Sequence, residues 1–315
     1  MGDSFPRRVV GIDVGGTSVK AALVDAEFKV LGEAHVPTDV SSQEGLLDSI
    51  AELVRTVADG AALAGVGFGL PSEIDQRTGR VVDSINVPIV DVSFAHEMHR
   101  RLDVPIRVDN DANVACLAEA RMGAARGADH VVMFTLGTGV GGGLLIDGEL
   151  FHGANGFGAE LGHMVIDENG PRCQGHCPNH GCLEALASAA GVEYAARQVA
   201  EENPDGGLAE AFMAGGAPDT RHVIDGALGG DPECVEVLTR VGRHLGVAIS
   251  NCVNIFNPEV VVIGGGIASA GDLLLRPARL EAGMRALRPN WSVTQVVPAE
   301  LGNTAGVLGA ACLVV

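Results

Sequence analysis

Val9-Val10-Gly11-Ile12-Asp13-Val14-Gly15-Gly16-Thr17-Ser18-Val19-Lys20-Ala21-Ala22-Leu23-Val24 reads as strand, glycine turn, strand. Apolar residues flank Gly15-Gly16-Thr17 on both sides. Glycine there permits positive φ and close approach of a ligand to the backbone. Successive backbone amides in such a turn make an anion nest. A Walker P-loop is excluded, since no lysine follows the second glycine and no helix follows the turn. Asp13 ends an apolar strand, where a metal-bound phosphate would account for a carboxylate and a plain hairpin cap is the alternative. The pattern returns at Val131-Val132-Met133-Phe134-Thr135-Leu136-Gly137-Thr138-Gly139-Val140-Gly141-Gly142-Gly143-Leu144-Leu145-Ile146. Gly137, Gly139 and Gly142 match G-x-G-x-x-G, but a strand and not a helix follows, which rejects a dinucleotide-binding reading. Two matching hairpins indicate an internal duplication. Each half would then supply one phosphate-binding turn, with a nucleotide in the cleft between the halves.

Outward from the first hairpin, Ser41 to Ala58 carries Leu46, Leu47, Ile50, Leu53, Val54 and Val57 at helical spacing, with a Ser41/Glu44 capping box and Gly60 as the stop. Val66 to Leu70 is a short strand running into a loop at Pro71-Ser72. Asn86-Val87-Pro88 is another loop, and a helix runs from Asp91 or Ser93 to Arg101. Pro105 to Val108 is a buried strand ending in Asp109-Asn110-Asp111, followed by a helix from about Ala112 to Met122. Polar residues at the carboxyl end of such a strand lie where α/β sheets place ligands. Asp111 is therefore a candidate general base and Asn110 a substrate-orienting amide; helix capping is the alternative for both. The two cannot both be the cap, so at least one has another task.

Beyond the second hairpin, Asp147-Gly148 marks a further turn before Glu149-Leu150-Phe151. Leu183 to about Glu201 reads as one helix, and Asn203 to Pro218 as a polar connection. Asp231-Pro232 opens a long helix that stops at Asn257-Pro258. Val260 to Ile263 is a fully apolar strand entering Gly264-Gly265-Gly266, which leaves room for a flat ligand such as adenosine; a strand-to-helix turn is the alternative. Ala305 to the end reads as a small-residue helix.

Three of the seven cysteines, Cys173, Cys177 and Cys182, fall within ten residues, with His163 ten before the first. One histidine and three cysteines form a closed structural zinc set. His176 and His180 are alternative ligands. The intervening residues are turn-forming, so a metal would hold them in shape. Glu160 and Glu184 bracket the cluster and could be aimed at a polar ligand. The remaining cysteines sit singly in apolar surroundings and read as small buried residues.

The chain has 315 residues, 47% hydrophobic and 19% charged, which is globular composition long enough for two domains. Net charge is −19, with two lysines, Lys20 and Lys29. Without a basic patch, nucleic acid and anionic membrane are unexpected partners. Nothing at the start reads as a secretory leader, and no apolar run reaches the ~18 residues of a membrane span. A reducing cytoplasm fits the unpaired cysteines.

These motifs together resemble the ROK family (repressors, open reading frames and sugar kinases), and within it the bacterial ATP-dependent glucokinases. The resemblance is carried by Asp13-Val14-Gly15-Gly16-Thr17, Asn110-Asp111, the Leu136–Gly143 turn, Glu160-Leu161-Gly162-His163, the cysteine cluster with Glu184, and Ile263-Gly264-Gly265-Gly266. It implies an α/β, actin-like ATPase fold of two similar ribonuclease-H-like domains around a cleft. Residues 1–126 with 303–315 would form one domain and 127–302 the other. It implies phosphorylation of the 6-hydroxyl of a hexose, most like glucose, by ATP and Mg2+, with Asp111 as base. Ser72, Asn86, Asn110, Glu160, His163 and Glu184 would face the sugar, His163 also ligating structural Zn2+ through its other ring nitrogen. Asp13, Gly15, Gly16, Thr17, Lys20, Gly137, Thr138 and Gly139 would face phosphates and magnesium, and Gly265 and Gly266 the adenosine. N-acetylglucosamine, N-acetylmannosamine or fructose as substrate, polyphosphate as donor, and a sugar-binding regulator are the alternatives. A repressor would need an N-terminal helix-turn-helix, for which no room precedes Arg8. A homodimer or homotetramer is expected. The sequence departs from the family pattern in the Cys173-x-x-x-Cys177 spacing, in Pro178, and in Ser72, which stands where glycine is frequent.

Overall fold

In a computed structural model that describes residues 8–84, 86–216 and 218–315, the opening stretch forms β1 (Arg8–Val14) and β2 (Ser18–Val24), paired antiparallel with Val14 opposite Val19. The expectation that the start carries no secretory leader falls on residues 1–7, which lie outside the described residues. β3 (Val30–Pro37) adds to β2 antiparallel, while β4 (Leu63–Leu70) and β7 (Ile106–Asn110) add in parallel, giving the order β3-β2-β1-β4-β7. Between β4 and β7 lie the small hairpin β5 (Ser72–Asp75) and β6 (Arg80–Ser84). The second sheet repeats this plan. β8 (Val131–Leu136), β9 (Val140–Ile146) and β10 (Glu149–Leu150) form the meander, and β11 (Val260–Gly264) and β12 (Gln295–Pro298) add in parallel, in the order β10-β9-β8-β11-β12. The duplication read from two glycine turns is thus a duplication of sheet topology, and the chain is mixed α/β.

The chain divides into two units. The first holds residues 8–127, Gly143–Ala159 and Glu300–Val315; the second holds Ala128–Gly142 and Glu160–Ala299.

In the first unit, α1 (Gln43–Ala58) buries Leu46, Leu47, Ile50, Leu53, Val54 and Val57 in a cluster with Val10, Ile12, Val19 and Phe68 of the sheet. Each such side chain stabilises by ~1.5–3 kcal/mol. Its cap is Ser42, whose hydroxyl accepts from Gly45 N; the expected cap, Ser41, is instead bonded to Asp39. α2 (Phe94–Leu102) and α3 (Asp111–Met122) follow. The last helix, α11 (Ala305–Cys312), needs small residues for a steric reason, because it lies directly on the sheet backbone. A Cβ at Gly11 or Gly67 would stand 1.9 Å from Val307 O or 1.8 Å from Ala310 O of that helix. The fully buried Glu119 fixes its approach, accepting from Ala124, Glu300 and Leu301 N.

In the second unit, the expected single helix after Cys182 is two, α4 (Leu183–Ala187) and α5 (Ala189–Glu202). Ser188 breaks it by taking extended backbone and capping α5, its hydroxyl accepting from Gly191 N. The connection after Asn203 contains α6 (Gly207–Met213), and α7 (Thr220–Leu228) follows. The long helix α8 (Pro232–Phe256) has Asp231 as its cap and Asn257 as a left-handed stop, as the sequence predicts. α9 (Asp272–Arg285) and α10 (Arg288–Trp291) complete the unit. No helix among the described residues is long and apolar enough to cross a membrane.

Candidate active site and metal centre

In the first unit, the β1–β2 turn is closed by Gly15 N donating to Ser18 O. Thr38 braces it from β3's far end: its hydroxyl donates to Gly15 O at 2.6 Å and its N–H to Thr17 O. Lys20 stands directly across the hairpin from Asp13. Burial raises the Asp13 pKa, with the Lys20 charge pulling it back down. Such a carboxylate, held at the mouth of a glycine turn, is suited to a cation. Gly16 and Thr17 are exposed, and a Cβ at Gly16 would lie 3.1 Å from the Asn86 Cβ, so the first turn and Asn86 are neighbours.

At the end of β7, Asn110 is the cap of α3, its Oδ1 accepting from Ala112 N at 2.8 Å and Asn113 N at 3.4 Å. Asp111 is the first helical residue and is exposed. Both side chains serve the start of α3: Asn110 is its cap, and Asp111 Oδ1 also accepts from Ala112 N at 2.8 Å, its carboxylate standing at the positive end of the helix, where negative charge is favoured. Ser72 is not in a loop. It opens β5, is buried, and shares its hydroxyl with Ser84 on the paired strand. Behind Asn110, the buried Asp109 pairs with His152 Nε2 at 2.6 Å. The Asp109 hydrogen bond and charge raise the His152 pKa against the effect of burial. Neither this pair nor Thr38 is singled out by the sequence; the only signal was a carboxylate directly before Asn110 at the end of an apolar strand.

In the second unit, Gly137 N donates to Gly139 O and folds the second turn, leaving Thr138 exposed. Two groups hold it from behind. Ala189 N, at the start of α5, donates to Gly137 O, and Val140 N donates to Glu184 Oε2 at 3.0 Å. Glu184 is thus a brace for this turn, with lone pairs still open on both oxygens. Gly265 has φ 87° and packs so close to the end of β8 that a Cβ would stand 2.3 Å from Leu136 O, so only glycine fits. Gly266 is exposed, a Cβ there would meet open space, and it starts a short 3-10 turn to Ala270.

The cysteine loop closes on His163, which lies in a one-turn 3-10 helix, Leu161–His163, that follows the exposed Glu160. The ligand atoms of His163, Cys173, Cys177 and Cys182 lie within 4.8 Å of one another. His163 Nδ1 is 3.6 Å from Cys173 Sγ, and Cys177 Sγ is 3.8 Å from Cys182 Sγ. Metal–sulfur bonds of about 2.3 Å and a metal–nitrogen bond of about 2.0–2.1 Å in a tetrahedron require separations of about these lengths. The wider Cys173–Cys177 spacing does not remove Cys173 from the set. His176 and His180, the alternative ligands, are exposed and outside it. The Nδ1 nitrogen faces the sulfurs, so Nε2 is the nitrogen directed elsewhere. Gln174 joins this loop to the α4–α5 break, donating to Ser188 Oγ at 2.7 Å. Cys116, Cys234 and Cys252 are buried and unbridged, as read from sequence, whereas Cys312, read the same way, is unbridged but only partly buried. Burial pushes the Cys252 thiol up to about 12.

The ROK family model matches residues 9–315. The glucokinase of Thermotoga maritima is 38% identical over 98% of this chain and 97% of its own length. Among solved structures, a ROK family glucokinase from Streptomyces griseus, in complex with glucose and AMPPNP, superposes with a TM-score of 0.80 at 31% identity, covering 97% of this chain and 98% of that one. The ROK hexokinase of Thermus thermophilus gives a TM-score of 0.80 at 31% identity, covering 96% of each. Sheet topology, glycine turns, cysteine cluster and full-length likeness agree, and the chain belongs to the ROK family.

Proposed function

We propose that this chain is an ATP-dependent hexose kinase that phosphorylates the 6-hydroxyl of glucose. The observation that carries the proposal is an exposed Asp111 at the start of α3 in a chain similar over nearly its whole length to glucokinases. Phosphoryl transfer asks little covalent chemistry of a protein, so positioning, charge stabilisation and one base suffice. Asp111 accepts the proton of the 6-hydroxyl as the oxygen attacks the γ-phosphorus. Asn86, Asn110, Glu160, His163 and Glu184 hydrogen-bond the other hydroxyls, His163 through Nε2 and Asn110 through its amide nitrogen, since its oxygen caps α3. Ser72 supports the sugar side through the β5–β6 pairing rather than by contact, because its hydroxyl is bonded to Ser84.

The amides of Gly15, Gly16 and Thr17, and of Gly137, Thr138 and Gly139, cradle the phosphates. Asp13, with Lys20 opposite, holds magnesium, which when bound offsets phosphate charge. Gly265 and Gly266 face the adenosine. His163, Cys173, Cys177 and Cys182 hold a structural zinc, which supplies no chemistry of its own and keeps the loop in shape. We infer further a two-domain division near residues 126 and 302, with Gly143–Ala159 going to the first domain as in the units above, assembly as a homodimer or homotetramer, and a cytoplasmic site of action. A coupled assay with ATP and magnesium tests the function, with glucose, N-acetylglucosamine, N-acetylmannosamine, mannose and fructose in parallel. Preferential turnover of glucose is expected. Preference for another sugar would replace the substrate, and no turnover of any would overturn the kinase.

A further inference from the structure

We propose that Asp109 and His152 are a positioning pair that locks the loop of residues 151–159 onto the end of β7 and thereby sets the sugar-side geometry; the proposal rests on the hexose-kinase reading above.

Asp109 is 2% exposed, so it does not reach a ligand itself. Its Oδ1 accepts from Asn110 N at 2.7 Å and from Asn113 Nδ2 at 2.9 Å, and its Oδ2 bonds His152 Nε2 at 2.6 Å. A buried carboxylate persists only when it is paired and hydrogen-bonded, and this one has donors on both oxygens. Two of those donors belong to the start of α3, one on the capping residue and one a turn later. One carboxylate therefore fixes the peptide that carries Asn110 and leads into Asp111. Asn113 gives its amide to this network while its Oδ1 is buried without a partner among the described residues. That arrangement is unfavourable on its own and marks the network as one kept for position.

The third donor comes from a separate segment. His152 follows Phe151, whose N–H donates to Leu144 O at 2.8 Å, so the histidine is launched from the end of the β9–β10 meander. The loop then closes on itself, Gly158 N donating to His152 O at 2.9 Å. Midway, Gly156 lies against the end of β5, where a Cβ would stand 2.4 Å from Ile74 O. The loop is thus tied to β7 at His152 and seated on β5 at Gly156. It ends at Ala159, held at φ 63°, directly before Glu160. A left-handed alanine is unfavourable, and it persists where the surroundings dictate the backbone path. Releasing His152 frees a side-chain tie between this path and the end of β7, which carries Asn110 and leads into Asp111.

The test compares wild type with His152→Ala, His152→Gln and Asp109→Asn, by hydrogen exchange without ligands and by steady-state kinetics. In His152→Ala, exchange across residues 151–160 and the first turn of α3 rises. The KM for glucose rises roughly tenfold to a hundredfold while the KM for ATP stays within about twofold. Glutamine, whose amide can still donate to Asp109, restores most of both effects, and Asp109→Asn resembles the alanine variant. Unchanged exchange in His152→Ala, equal shifts in both KM values, or no rescue by glutamine would overturn the proposal. A wild type inactive on every hexose would remove the kinase reading instead, and the exchange comparison would still decide whether the lock exists.

Discussion

Asp13 is a side chain whose burial costs stability at neutral pH. Burial raises its pKa in the fold above the value of the unfolded chain, and the Lys20 charge only partly offsets this. A carboxylate shifted upward loses stability as pH rises from its unfolded pKa through its folded pKa, so at neutral pH its ionised form burdens the fold. Asp13→Asn is therefore expected to leave the Tm unchanged or higher, while turnover with magnesium and ATP falls by about a hundredfold or more. Thermal unfolding and the coupled assay on the same preparation check this; a clear drop in Tm would contradict it. The residues that sequence could single out were those whose chemistry is conspicuous where they stand: Asp13 ending an apolar strand, Asn110-Asp111 at a strand–helix junction, His163 with the three cysteines. Ser72 and His152 were not readable in the same way. Whether a serine faces a ligand or its cross-strand partner depends on a register with Ser84 that a turn-rich segment does not announce. His152 acquires its role from a carboxylate 43 positions away.

Among elements, those written in strong periodicity or punctuation were legible: the two glycine hairpins, α1, α8 between Asp231 and Asn257, and the β11 strand. Those that tertiary context makes were not. β3 is a half-exposed edge strand with a glycine inside, and α9 carries Pro277 and a weak apolar stripe. The break at Ser188 is a choice between continuing a helix and capping a new one, and the Gln174 bond and the α5 cap decide it. Two predictions belong here. Gly67→Ala in β4 drives a methyl into the α11 backbone at Ala310 and should destabilise by at least ~3 kcal/mol, at the upper end of overpacking costs. Denaturant unfolding measures it, and a loss below ~1 kcal/mol would mean α11 is free to move. Cys182→Ser should reduce zinc from one ion per chain to well below that, and increase hydrogen exchange through residues 163–188, because Cys182 is buried in the ligand set. Elemental analysis and exchange check it, and full zinc occupancy in the variant would reassign the ligands.

Across the whole molecule, the sequence carried its architecture as a repetition. Two glycine turns 122 positions apart, Gly15 against Gly137, each join the first two strands of a meander. Each meander then receives two parallel strands through helical crossovers, giving matched sheets of mixed direction. What repetition could not convey is where the chain's end goes. α11 completes the first unit through the small residues that let it lie on β1 and β4, a fit visible only once Gly11 and Gly67 face it. The net charge of −19 agrees with the proposed small phosphorylated ligand rather than with a nucleic acid. The central claim is that Asp111 is the base of a glucose phosphorylation, and the most direct test measures glucose-dependent ADP formation and glucose affinity for wild type and Asp111→Asn. Turnover by wild type that falls about 10²- to 10⁴-fold in the variant, with glucose affinity changed by no more than roughly threefold, is the predicted result. Undiminished turnover in Asp111→Asn, or none in the wild type, would contradict the account.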